Sequence, residues 1–278
     1  MQNILSKTFS TLALESPTAG VLMVRLNRPN RLNAISTQMW SDLKNCFNAI
    51  KTDGNVRSVV ISSNGKLFCS GIDLKDSTLS APQSDKDIAR KGYYHRLSIL
   101  ELQESISAIE QCDKPVICAI NNGCIGAGVD LATACDIRYC TQDAYFIVKE
   151  VDIGMAADVG TLQRLPKVVA NDSWVREICY TAKKVYAEEA KTFGLVSSVF
   201  DTKESLEVNA LNTATLIASK SPVAIVSTKH LLNYSRDHTV AEGLAYNALW
   251  NTLMHNTADM PEAITSFFAK KSPSFAKL

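Results

Sequence analysis

The chain has 278 residues, room for one large domain or two modest ones. It is 46% hydrophobic and 21% charged, ordinary for a globular protein and wrong for a disordered one. Its formal net charge of +1, with no long basic run, argues against a surface built for nucleic acid or anionic lipid, and no apolar stretch approaches the ~20 residues that span a bilayer. In chain order, residues 7–14 and 20–27 read as two strands joined by a turn at Pro17 and Gly20. Ser36 is a candidate N-cap for a helix over about 37–52, with Met39, Leu43, Phe47 and Ile50 on one stripe. Residues 56–63 form a β-branched run of buried-strand character, and the polar stretch 77–86 reads as a surface loop. A long helix carrying Ile99, Leu102, Ile106 and Ile109 follows, then a buried strand over 115–120. The glycine run Gly123-Cys-Ile-Gly-Ala-Gly128 opens a helix to Ala134, and 137–140, 145–148 and 195–200 read as further strands. Beyond Asp201 the pattern is helical only, over about 203–219, 222–234, 239–254 and 259–270.

The alternation of strand and helix through about residue 200 predicts an α/β architecture with parallel strands. Two regions are expected: a core over 1–200 holding the chemistry, and a helical region over 201–278 that covers the core, packs on a neighbouring subunit, or does both. No internal repeat is visible in the sequence. The eight cysteines contain no C-x-x-C pair, and the four histidines stand near none of them, so no metal site is expected. Most of these cysteines lie in apolar runs, as free thiols acting as small hydrophobes would. The N-terminal 14 residues lack acids and are rich in Ser and Thr, with the composition of a weak mitochondrial presequence but not of a secretory signal. The last three residues, Ala276-Lys277-Leu278, match a peroxisomal address and predict an import-receptor partner.

The glycine run invites comparison with dinucleotide-binding loops, but its spacing is G-x-x-G-x-G rather than G-x-G-x-x-G. Backbone N–H groups at the start of a helix nevertheless make a site for an anion or a developing oxyanion. Three acids lie near it in apolar company: Asp130, Glu150 and Asp158. Buried carboxylates are costly and tend to have a partner or a task, although each of these could equally be a helix cap or an ion-pair member, as could Asp136 and Asp152.

The stretch from Cys118 to Cys140, together with Asn27-Arg-Pro-Asn-Arg-Leu-Asn-Ala34, Phe68-Cys-Ser-Gly-Ile-Asp-Leu74 and Gly160-Thr-Leu-Gln-Arg-Leu-Pro166, resembles the signature of the enoyl-CoA hydratase/isomerase (crotonase) superfamily. The resemblance covers most of the chain and implies a spiral of ββα repeats, with the C-terminal helices used in assembly as a trimer or a dimer of trimers. Within the superfamily, Asp130, Glu150 and Asp158 together resemble the dienoyl-CoA isomerase branch; hydratases usually carry Glu and a small residue in place of the first and last. The resemblance implies an oxyanion hole from the N–H groups of Ile72 and Ala127, and proton transfer between C2 and C6 of a fatty acyl-CoA by Glu150 and Asp158. Which of the two is base and which acid stays open at this point, with Asp130 tuning or orienting Glu150. It also implies coenzyme A contacts at Arg28, Asn30, Ser70, Gly71, Asp73, Leu74 and Gly126. No cofactor is expected, because coenzyme A belongs to the substrate. The nearest rival is a 2-enoyl-CoA hydratase using Glu150 and Asp130. An RNA-binding or scaffold member would want a basic comb, and the first helix offers only Lys44 and Lys51.

Overall fold

The computed structural model describes residues 3–76 and 87–278, so the loop expected over 77–86 lies outside the described residues. The chain opens with a hairpin of β1 (Leu12–Thr18) and β2 (Val21–Leu26), followed by α1 (Thr37–Lys51), β3 (Ser58–Ser63), α2 (Ile88–Glu110) and β4 (Val116–Ile120). Next come β5 (Gly123–Ile125), α3 (Ala127–Ala134), β6 (Ile137–Thr141), β7 (Tyr145–Ile147), α4 (Thr161–Val168), α5 (Asp172–Thr181), β8 (Val185–Tyr186), α6 (Ala187–Thr192) and β9 (Ser198–Phe200). Four helices end the chain: α7 (Lys203–Ala218), α8 (Pro222–Ser235), α9 (Val240–Met254) and α10 (Asp259–Ala269).

One sheet runs β1-β2-β3-β4-β6-β9, antiparallel at the β1–β2 hairpin and parallel elsewhere. A smaller sheet runs β5-β7-β8, and isolated bridges pair Ile35 with Ile72 and Cys69 with Cys124. Each passage from the large sheet therefore meets a short extended segment and then a helix: β2, Ile35, α1; β3, Cys69, α2; β4, β5, α3. That is a spiral of ββα units, and its second strands are too short to leave a repeat in the sequence. The α/β expectation with parallel strands holds.

Three local expectations need correction. The first strand is Leu12–Thr18 rather than 7–14, and Pro17 lies inside it, where the register shifts between Glu15 and Thr18. A proline is tolerated there because β1 is an edge strand. The last core strand is Ser198–Phe200, shorter than 195–200. The glycine run is not simply a loop entering a helix, since its first three residues form β5, which hydrogen-bonds to Cys69 and pairs with β7.

The core explains the packing. Strands β3 and β4 are buried at every position, and the stripe Met39, Leu43, Phe47 and Ile50 of α1 packs into the same cluster. Ser36 caps α1 by accepting from Met39 N at 3.3 Å. On the other face of the sheet, Leu206, Ala210, Ala214 and Ala218 of α7 pack against Val21, Met23, Val60, Ile117 and Ala119, so the first C-terminal helix covers the core. The helices α8–α10 instead leave Leu232, Leu249, Leu253, Phe267 and Phe268 between 67% and 78% exposed. All eight cysteines are buried and free.

Candidate active site

Two loops meet at the site. Gly71 has φ +95° and Gly126 has φ +51°, a region that costs any other residue strain. Both also sit where a side chain has no room. A Cβ on Gly71 would lie 3.2 Å from the Ile125 carbonyl oxygen, and one on Gly126 would lie 3.7 Å from the Gly71 Cα and 3.1 Å from Glu150 Oε1. The loops are locked by Ile35 N donating to Gly71 O at 2.8 Å and Gly126 N donating to Ile147 O at 2.8 Å. The residues that follow the two glycines, Ile72 and Ala127, line one cavity, and Ala127 is the first residue of α3. Neither N–H donates to another described residue. Two free amides, one backed by a helix dipole, form a notch suited to negative charge on a carbonyl oxygen.

The cavity has a volume of ≈ 510 Å³. Its walls come from α1 through Trp40, from α2 through Ile99 and Leu102, and from the segment 149–159. Glu150 opens a 3-10 turn over Glu150–Ile153, which ends at Gly154 with φ +81° and returns the chain toward the cavity. Asp158 follows, with its carbonyl accepting from Gln103 Nε2 of α2 at 2.7 Å. Arg164 fastens the same segment to α2, donating to Ser107 Oγ and Glu110 Oε2 at 3.0 Å. Burial pushes Glu110 up, but Arg164 and Arg236 together hold its carboxyl below its ordinary value. Gly160, at φ +140°, lies against the Arg164 guanidinium and leaves no space for a Cβ.

The structure brings Glu150 and Asp158 into one cavity beside the amide notch. Burial raises both carboxyls above their ordinary values, and the charge of Asp158 raises Glu150 further. Asp130 does not line the cavity. It is fully buried beneath it on α3, with Oδ1 accepting from Thr161 N. Burial first, and then the like charge of Glu150, push its carboxyl up to about 7. Asp130 Oδ2, Glu150 Oε2 and Thr161 Oγ1 are buried without a hydrogen-bond partner.

The expected coenzyme A contacts divide. Ser70, Gly71, Leu74 and Gly126 line the cavity, whereas Arg28, Asn30 and Asp73 do not. The Arg28 guanidinium donates to Asp73 Oδ2 at 3.0 Å and to the Ala34 carbonyl, so it ties the loop carrying Ile72 to the loop before α1. Sequence reasoning missed four titratable wall residues: Lys44, His95, Glu101 and Lys149. Lys44 pairs with Glu104 and Lys149 with Asp152, and only the fold puts them at the cavity.

Two glycine-bounded amides beside two carboxylates on one cavity suit an enzyme that stabilises an oxyanion while moving protons. The model of the enoyl-CoA hydratase/isomerase family matches residues 16–277, and the chain belongs to that family. It is 51% identical over 276 residues, 98% of this chain and 84% of the relative, to a human protein named Delta(3,5)-Delta(2,4)-dienoyl-CoA isomerase, mitochondrial. It is 41% identical to the Arabidopsis thaliana protein named as the peroxisomal form, covering 98% of this chain and 99% of that one. Among solved structures, an enoyl-CoA hydratase from Bacillus anthracis superposes with a TM-score of 0.85 at 27% identity, over 96% of this chain and 99% of that one.

Proposed function

We propose that this protein is a Δ3,5-Δ2,4-dienoyl-CoA isomerase of fatty acid β-oxidation. The observation that carries the reading is the pair Glu150 and Asp158 on one cavity, next to the free N–H groups of Ile72 and Ala127. A 3,5-dienoyl thioester loses a proton at C2 and gains one at C6, several ångströms away. One carboxyl serves both ends poorly, while two along an extended conjugated chain serve each end separately. With the thioester oxygen between the two amides, Glu150, whose carboxylate lies against Gly126, falls beside C2 and acts as base. The negative charge then spreads over the extended enolate from the thioester oxygen to C6, and the amides hold it at the oxygen. Such donors contribute about 10²–10³ in rate each. Asp158, on the same cavity and with its carboxyl raised by burial, delivers the proton at C6. Asp130 lies outside the cavity, where it tunes or orients Glu150; the like charge of Glu150 in turn raises the Asp130 carboxyl. No cofactor takes part; coenzyme A arrives with the substrate.

The test is ultraviolet absorbance with two substrates. A 3,5-dienoyl-CoA should give the conjugated 2,4-dienoyl-CoA band, with little loss of absorbance from a 2-trans-enoyl-CoA. Loss of the enoyl band without diene growth would mean a hydratase and would sink the reading.

The exposed apolar residues of α8–α10 support assembly through these helices as a trimer or a dimer of trimers, which light scattering of the purified protein would measure. The site of action is a β-oxidation organelle, peroxisome or mitochondrion. The tripeptide Ala276-Lys277-Leu278 favours the peroxisome and its import receptor. A tagged protein lacking these three residues should stay in the cytosol, and unchanged import would refute the assignment.

A further inference from the structure

We propose that Gln103 is a positioning residue, one that aims the Asp158 carboxyl along the cavity by holding its main chain. This rests on the isomerase reading above, in which Asp158 delivers the proton at C6. An acid that must hand its proton to carbon works best with its carboxyl free of neighbouring donors. Its aim is then set by the backbone that carries it, and small errors of aim are costly.

Residues 155–158 belong to no helix or strand, so no ladder of backbone hydrogen bonds fixes them. Their tethers are single contacts. Met155 N donates to Glu150 O at 3.1 Å where the stretch begins, and Thr161 N donates to Asp130 Oδ1 beyond its end. Arg164 Nη1 reaches Val159 O only at 3.5 Å. At Asp158 itself the main-chain oxygen accepts from Gln103 Nε2 at 2.7 Å, a bond of full strength. Among the described residues, the Asp158 carboxyl takes a hydrogen bond only from its own backbone N–H. Gln103 therefore holds the residue and leaves the acid free.

The place of Gln103 on α2 gives this bond its meaning. Ile99 and Leu102 line the cavity, and Gln103 does not, so it touches no substrate. Ile99 and Gln103 stand four residues apart and share one side of the helix, with Leu102 beside them. One stretch of α2 thus presents both the apolar wall along the cavity and the donor that fixes the acid. The spacing between acyl chain and acid is set by a single rigid element. Further along, Arg164 fastens its own segment to Ser107 and Glu110 of α2, independently of Gln103. Losing the Gln103 bond frees Asp158 without releasing the residues on either side.

Gln103→Met removes the donor at similar length, while Gln103→His keeps an Nε2–H at similar reach. In Gln103→Met, kcat for 2,4-dienoyl-CoA formation should fall roughly ten- to a hundredfold. KM and the exchange of C2 protons in deuterated water should stay near wild type, because Glu150 and the two amides are untouched. Gln103→His should recover most of the lost kcat. Should Gln103→Met fail to fold, Gln103→Glu at neutral pH, of the same length but with no donor, makes the same comparison. Equal loss of exchange and isomerisation would make Gln103 a merely structural residue and overturn the proposal. So would an unchanged kcat, or a histidine variant as slow as the methionine one. Failure of the underlying reading shows differently: wild-type protein would then form no 2,4-dienoyl-CoA at all.

Discussion

Replacing Asp130 with Asn should stabilise the protein at alkaline pH, because the native fold holds this carboxyl where its charge is unwelcome. The side chain is fully buried under the cavity, and burial together with the charge of Glu150 lifts its pKa from an ordinary 3.8 to about 7. The direction follows from proton linkage. Between those two values the folded state keeps a proton that the unfolded chain has lost, so stability falls as pH rises through the window and levels off above about 7. At ~1.4 kcal/mol per pK unit, the full cost above the window is about 4 kcal/mol. Asn keeps the acceptor for Thr161 N, so that hydrogen bond is retained. Thermal denaturation at pH 8 should therefore show a rise of several degrees, taking ~2 °C per kcal/mol for a chain of this size. At pH 5, where only the lower third of the window has been crossed, the gain should shrink to less than about 2 kcal/mol. A variant destabilised at pH 8, or equally stabilised at both pH values, would refute the reasoning.

Other substitutions test the remaining parts. Gly126→Ala forces a side chain onto a residue at φ +51° and 3.1 Å from Glu150 Oε1, so it should lower kcat about a hundredfold, whereas Ile72→Val, which leaves the main-chain donor in place, should stay near wild type in steady-state assays. Gly160→Ala meets both a φ of +140° and the Arg164 guanidinium that ties the Asp158 segment to α2. It should cost roughly 1–3 kcal/mol in urea denaturation and reduce isomerisation as well, and an unchanged midpoint would contradict the packing described. Arg28→Ala should lower kcat, because Arg28 holds Asp73 and the Ile72 loop; a rise in KM alone would mark it instead as a coenzyme A contact.

Much of the fold is legible in the sequence where the signals are local. The stripe on α1, the N-cap at Ser36, the apolar runs of β3 and β4 and the four C-terminal helices all follow from spacing between neighbours. Strand β5 is not legible: three residues long, it exists because Cys69 and β7 supply its hydrogen bonds from far along the chain. Pro17 looked like a turn residue because its tolerance on an edge strand depends on having no partner on that side. The three acids could be picked out by their apolar company, and the resemblance ordered them. Sequence could not separate Asp130, which lies under the cavity, from Glu150 and Asp158, which face it. His95 was invisible for the same reason: nothing in α2 says which turn of a long helix meets a loop more than fifty residues later.

The central claim is that two carboxyls divide the reaction, Glu150 at C2 and Asp158 at C6. Asp158→Asn, incubated with 3,5-dienoyl-CoA in deuterated water, tests this most directly by NMR of the recovered thioester. The account predicts deuterium at C2 of unreacted substrate, since base and oxyanion hole are intact, with no 2,4-dienoyl-CoA formed. Formation of the 2,4-diene at the wild-type rate, or a substrate that neither exchanges at C2 nor isomerises, would contradict it.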